Sequence, residues 1–150
     1  MTEELISILH SRGQRVTPQR LAILRALRDH GAHATAEEIG RAIRHDLPGI
    51  SVPTVYATLD LLVELGLARK LDLGLGSSRY DARTDPHQHS VCRSCGRIDD
   101  LEFELDRKRL ARATAEGRFH ADAVELVVTG LCDGCYGVNR TVITSPSATT

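Results

Sequence analysis

The sequence predicts an α+β chain in two parts: a run of helices closed by a β-hairpin, then a small α/β domain stapled by four cysteines. Three observations carry this. Helix start signals recur through the first half, at Thr17-Pro18, Thr35 and Ser51. C-x-x-C occurs twice, at Cys92/Cys95 and Cys132/Cys135. Between them, at RTDP (83–86), the apolar pattern changes from helical spacing to alternation, which marks a hinge between residues 1–82 and 87–135. At 150 residues the chain has room for one compact unit or two small domains. Hydrophobic residues make up 41%, but aromatics only 3% with no Trp, so the core must be aliphatic.

The elements follow in order. TEELISILHSR (2–12) reads as a short helix stopped at Gly13. Thr17 is an N-cap with Pro18 at the first helical position, and Leu21, Ile23, Leu24 and Leu27 supply an apolar face that ends at Gly31. Residues 35–46 start again with Thr35 and Glu38, a capping box, and turn Ile39 and Ile43 inward. Ser51 caps a third amphipathic helix whose inner face is Val52, Val55, Leu59, Leu62 and Val63; Ser51, Thr54, Ala57 and Thr58 form a small-residue face opposite. LARKLDL and SSRYDA are then two short strands around GLGS. This is the outline of a winged helix-turn-helix, whose second turn helix enters a DNA groove by its N-terminal end. An ordinary helical bundle with a hairpin gives the same pattern. With a formal net charge of −1, any DNA contact must come from local arginines rather than bulk charge.

Beyond the hinge, HQHSVC and GRIDDLE read as strands, FELDRKRLARATAEG as an amphipathic helix carrying Phe103, Leu105 and Leu110, and AVELVVTGLC as a strand with Val124, Leu126 and Val128 on one side. So small a sheet and helix bury little surface alone, which favours pairing with a second copy as a homodimer. Residues 136–150 are polar and aperiodic, the pattern of a disordered tail.

Two metal sites are legible. Two C-x-x-C turns aim four thiolates at one point, a tetrahedral set that suits structural Zn(II). The alternatives are disulfides or a redox pair; with no signal peptide, a reducing cytoplasm is expected, where disulfides are rare. His87 and His89 project to one face if the segment is extended, and with Asp81, Asp99 and Asp100 near in sequence they form a nitrogen/oxygen set suited to iron, manganese, nickel or zinc. Alone, H-x-H is as often two surface histidines. No apolar run approaches a membrane span.

Taken together, RVTPQR (15–20), HATAEEI (33–39), ISVPTVYATLDLLVELGL (50–67), SRYD (78–81), HQHSVCRSCGRIDDL (87–101) and CDGC (132–135) resemble the ferric uptake regulator (Fur) superfamily of metal-dependent repressors, and most of all its peroxide-sensing PerR branch. The resemblance implies an N-terminal winged helix and a C-terminal α/β dimerisation domain. It implies Zn(II) at Cys92, Cys95, Cys132 and Cys135, and a regulatory Fe(II) or Mn(II) at His33, Asp81, His87, His89 and Asp100. His33 and His87 match the positions oxidised by peroxide in that branch. Asp100 stands where iron-sensing members generally carry Glu. Their HH-D-H cluster is reduced here to HQH, and Val124 stands where a further histidine completes their extra site; His120 is out of register with it. For DNA, the resemblance nominates Arg15, Arg20, Ser51, Thr54 and Tyr56, while Ala57 stands where many members have Arg.

The expected function is therefore a dimeric repressor that binds double-stranded operator DNA with its regulatory ion in place and releases it on reaction with hydrogen peroxide. The same-fold alternative is a plain metal-level sensor. A zinc enzyme is disfavoured, because a four-cysteine site leaves no open position and no H-x-E accompanies C-x-x-C. A zinc-stapled interaction module is the remaining class.

Overall fold

The computed structural model describes residues 2–138, and the chain divides into two compact units, one up to Pro86 and one from His87. In the first unit, α1 (Thr2–Ser11), α2 (Pro18–Asp29), α3 (Ala36–Ala42) and α4 (Val52–Glu64) precede an antiparallel hairpin of β1 (Arg69–Leu71) and β2 (Arg79–Asp81). This is the winged helix-turn-helix order. Each helix begins where its cap dictates. The Thr17 side chain accepts from the Arg20 N–H, Thr35 and Glu38 close a full capping box, and Ser51 accepts from the Thr54 N–H. Each cap satisfies an amide that the first helical turn would leave without a partner. Leu5, Leu9, Ile23, Leu24, Leu27, Ile39, Val55, Leu59 and Leu62 interlock as an aliphatic core, with Tyr80 of β2 as its one large aromatic member.

Two details differ from the sequence pattern. Val52 is 38% exposed, because it occupies the first helical turn, which projects beyond the core; Thr58, placed on the outer face by the periodicity, is only 6% exposed. Helix α3, expected over residues 35–46, also stops at Ala42 and passes into turns.

The second unit is a three-stranded sheet in the order β4-β3-β5, built from β3 (Gln88–Cys92), β4 (Ile98–Leu101) and β5 (Val127–Gly130). The β3 and β4 strands are antiparallel; β3 and β5 are parallel. A parallel pair needs a long crossover, and the connection between β4 and β5 carries α5 (Arg107–Glu116). That helix begins later than its apolar spacing suggested. The Asp106 carboxylate accepts from the Arg109 N–H and sets the start, which leaves Phe103 outside the helix and 56% exposed. Likewise β5 covers only the centre of AVELVVTGLC, and Val124 and Val128 are exposed. A short helix, α6 (Asp133–Tyr136), takes in Tyr136, the first residue assigned to the expected tail; residues 139–150 lie outside the described residues. No described helix is long and apolar enough to cross a membrane.

Leu59→Ala, at a fully buried position of α4, is expected to cost about 2–5 kcal/mol in chemical denaturation. Val52→Ala, one helix turn from the core, should stay within about 0.5 kcal/mol of the parent. Equal costs would mean that α4 turns a different face inward.

Candidate metal centre

Parallel pairing builds the cysteine cluster. The β3 and β5 strands run side by side with Cys92 opposite Gly130, so both end at the same edge of the sheet, and a C-x-x-C turn begins there on each. In the first turn the Gly96 N–H donates to the Cys92 carbonyl (2.9 Å), with Gly96 at φ +74, a conformation that favours glycine. In the second, the Cys135 N–H donates to the Cys132 carbonyl (2.9 Å). The Arg93 N–H donates to the Gly130 carbonyl (2.9 Å) and joins the two turns. All four cysteines are free thiols, and their sulfurs lie within 4.8 Å of one another. Cys95 Sγ and Cys132 Sγ are 3.7 Å apart. A tetrahedron with Zn–S bonds of about 2.3 Å has edges of roughly 3.8 Å, so the donor set fits Zn(II), and the disulfide alternative is set aside. Backbone N–H groups of Cys132 and then Cys95 draw the Cys92 thiol down to about 6. Cys135 is pushed up to about 12: a hydrogen bond with Ser94 pulls it down, but the neighbouring Cys132 and Cys95 outweigh it. Four thiols in this space cannot all ionise without a cation among them.

Each unit also presents imidazole and carboxylate groups together. In the first unit, Ala34 and Tyr80 form an isolated antiparallel bridge, with the Ala34 N–H donating to Tyr80 O (3.0 Å) and the Tyr80 N–H to Ala34 O (2.8 Å). Antiparallel pairing at 34 and 80 sets position 33 against 81. His33 Nε2 stands 3.8 Å from Asp81 Oδ2, and both side chains are buried. His33 itself lies at φ +57, in the left-handed region, where histidine is among the more tolerant residues. The Arg79 guanidinium donates to the His33 carbonyl (3.2 Å) and helps hold that conformation.

In the second unit, His89 pairs with Asp100 across β3 and β4. His87 Nε2 is 3.6 Å and His89 Nε2 3.9 Å from Asp100 Oδ1. The two rings meet edge to face with centroids 4.6 Å apart. Donors bound to one ion at about 2.0–2.2 Å stand roughly 3–4 Å apart, so these spacings suit a cation better than a direct hydrogen bond. Nitrogen and carboxylate donors suit iron or manganese rather than a thiolate-seeking ion. Asp99, the neighbouring carboxylate, points elsewhere and pairs with Arg97 (2.8 Å). His120 and Val124 are exposed.

The residues nominated for DNA lie around the start of α4 and at the start of α2, Arg15 before that helix and Arg20 in its first turn. Ser51 Oγ and Thr54 Oγ1 share a hydrogen bond (2.8 Å). Arg20 donates to the Arg15 carbonyl, which orders the segment before α2. Tyr56 packs its ring partly against the core and donates its hydroxyl to Glu37 Oε1 on α3 (2.9 Å). That bond raises the Tyr56 phenol above its ordinary value; backbone hydrogen bonding first, then Tyr56, lowers Glu37. Glu37 supports Tyr56, Arg79 the His33 carbonyl and Asp60 the Tyr80 hydroxyl, yet none of the three was singled out by sequence. Their partners lie 19 to 46 positions away, and no local spacing reports such a contact.

A winged helix-turn-helix followed by a thiolate cluster and His/Asp sets defines a metal-responsive DNA-binding regulator. Residues 11–129 match the ferric uptake regulator family, and the chain belongs to it. The peroxide-responsive repressor PerR of Staphylococcus aureus is 38% identical over 135 residues, which span 89% of this chain and 90% of that protein. The Helicobacter pylori ferric uptake regulator Fur, described as having three functional metal-binding sites, shares the fold with a TM-score of 0.74 at 23% identity, over 89% of each chain. PerR from Streptococcus pyogenes, solved in connection with peroxide sensing and gene regulation, has a TM-score of 0.52 at 26% identity, covering 89% of this chain and 92% of that one.

Adding Zn(II) to metal-free protein near neutral pH should release protons, since a thiol such as Cys135, at about 12, must lose its proton to bind. The affinity should fall as pH drops toward 6, where Cys92 also becomes protonated. An indicator dye and competition with a chelator read both. A pH-independent affinity would exclude the thiols as ligands.

Proposed function

We propose that this protein is a dimeric, peroxide-responsive transcriptional repressor of the cytoplasm. Cys92, Cys95, Cys132 and Cys135 hold structural Zn(II). His33, Asp81, His87, His89 and Asp100 hold one regulatory Fe(II) or Mn(II), and the ion-bound form grips operator DNA. The carrying observation is that each unit presents its own His/Asp set, buried His33 with buried Asp81 and buried His87 and His89 with the exposed Asp100, in a chain 38% identical to a peroxide-responsive repressor over most of its length. Two sets that each fall short of a full coordination shell support a shared ion. An ion with ligands from both units fixes their relation, and metal and DNA then strengthen each other by the same factor, typically about 5–150-fold.

Fe(II) held there would supply the chemistry that activates hydrogen peroxide. His33 or His87, matching the positions oxidised in the resembled branch, is then oxidised by two electrons overall: the ring takes one peroxide oxygen, the other leaves as water, and the altered imidazole no longer serves as a ligand. With a ligand lost, the units are released from each other and the operator with them. The protein acts on DNA by binding and turns over no substrate. Arg15 serves the minor groove and Arg20 the phosphate backbone, Ser51 and Thr54 the close approach of the α4 N-terminus, and Tyr56 the base edges, where its ring suits a thymine methyl.

The test begins with in vitro selection of a duplex from a random pool using Mn(II)-loaded protein, then measures affinity by fluorescence anisotropy. Mn(II) should raise the affinity by about 5-fold or more. Asp100→Ala and Asp81→Ala should each abolish that gain while retaining zinc. A gain that survives both substitutions, or no metal dependence at all, would sink the shared-ion reading. Metal dependence with peroxide indifference of the Fe(II) form would leave a metal-level sensor.

A further inference from the structure

Tyr80 occupies an unusual position for a side chain with a hydroxyl. It is fully buried at the centre of β2, between Arg79 and Asp81. Its backbone forms both hydrogen bonds of the Ala34 bridge, which sets His33 against Asp81. Its phenol extends to α4, where the hydroxyl donates to Asp60 Oδ1 (3.0 Å). The same Asp60 oxygen accepts from Lys70 Nζ (3.0 Å). Lys70 stands directly across the hairpin from Tyr80, with its ammonium 5.6 Å from the ring centroid. One residue of α4 is thereby tied to both strands of the hairpin. Asp60 also lies one helical turn beyond Tyr56, on the same side of α4.

We propose that Tyr80 is a positioning residue that passes the state of the His33–Asp81 pair to α4 through its bond to Asp60. The inference deepens the metal-responsive reading above and rests on it. Any force that draws Asp81 and His33 together acts on the backbone of β2 and on its Ala34 bridge. The Tyr80 ring is rigid and enclosed by core side chains, so a shift of the strand carries the phenol with it. The hydroxyl bond then delivers that shift to α4 at Asp60, one turn from the residue nominated to read bases. Packing alone would also transmit it, but without a fixed direction; a hydrogen bond to one carboxylate oxygen specifies the register. Burial first, and then the Asp60 bond, raise the Tyr80 phenol above its ordinary value, so it remains a donor across the physiological range. Lys70 first, and Tyr80 with it, hold Asp60 below its ordinary value, so the acceptor stays charged. The Lys70–Asp60 pair is solvent-exposed and contributes little by itself; its part is to orient the carboxylate toward Tyr80.

Hydrogen exchange read by mass spectrometry tests this on the zinc-loaded full chain, with and without Mn(II). The variants are Tyr80→Phe, Asp60→Ala, their double, and Asp60→Asn. In the parent, Mn(II) should slow exchange both around 33–35 and 79–81 and along α4. In Tyr80→Phe, which keeps the ring, Mn(II) should bind within about twofold of the parent affinity and still protect 33–35 and 79–81. Its protection of α4 should fall at least about fivefold. Asp60→Ala, at an exposed position, should do the same, and the double variant should lose no more than either single. Asp60→Asn keeps an acceptor oxygen and should retain the response. Full α4 protection in Tyr80→Phe overturns the inference, as does loss of Mn(II) binding in that variant, which would make Tyr80 a support of the ligands alone. A parent that responds at 33–35 and 79–81 but not in α4 overturns this inference and leaves the proposed function standing. A parent with no Mn(II) response anywhere overturns both.

Discussion

Backbone register at three places decides where most of the candidate ligands sit. The Ala34–Tyr80 bridge opposes His33 and Asp81; the β3–β4 ladder opposes His89 and Asp100; the β3–β5 ladder brings the two C-x-x-C turns to one edge. A strand's side chains alternate in direction, so a slip of one residue at any of these pairings would turn a ligand to the other face. The rest of the fold serves these registers. In the first unit the helical core encloses Tyr80 and thereby fixes β2. Among the described residues of the second, α5 buries none against the short sheet, and the four cysteines cluster where its strands end.

Polarity inside so aliphatic a protein also has a cause. Burying imidazole and carboxylate side chains is costly unless they are paired or bind a metal. Here His33, Asp81, His87 and His89 are all buried, although the chain contains only 3% aromatics and spends its apolar residues on one small core. A fold selected for stability alone would fill these positions with aliphatic side chains. In the proposed reading, these nitrogen and oxygen donors, set at 3.6–3.9 Å from their carboxylates, exchange stability for response to an ion.

Much of this was legible in the chain itself, for definite reasons. Caps are local chemistry: Thr17, Thr35 and Ser51 each act within three residues, so the starts of α2, α3 and α4 follow from sequence. The cysteine cluster was equally plain, because C-x-x-C fixes two donors by itself. Periodicity misled where an end effect intervened, as at Val52 in the first turn of α4 and at Phe103 ahead of the Asp106 cap. Long-range partners were not legible. Glu37 beneath Tyr56, Arg79 on the His33 carbonyl and Asp60 on Tyr80 connect segments whose approach depends on the completed fold. The grouping of His33 with Asp81 came from family resemblance, since nothing local to an isolated histidine marks it as a ligand.

The central claim is that one iron-binding site draws on His33 and His87 and makes them the targets of peroxide. Peptide mass spectrometry of protein loaded with Fe(II), and separately with Mn(II), tests it most directly after brief anaerobic exposure to low peroxide. The account predicts addition of one oxygen atom to the peptides bearing His33 or His87 in the iron form and no change in the manganese form. An iron form left unmodified at both histidines, or oxidised only at the cysteines with loss of zinc, would contradict it.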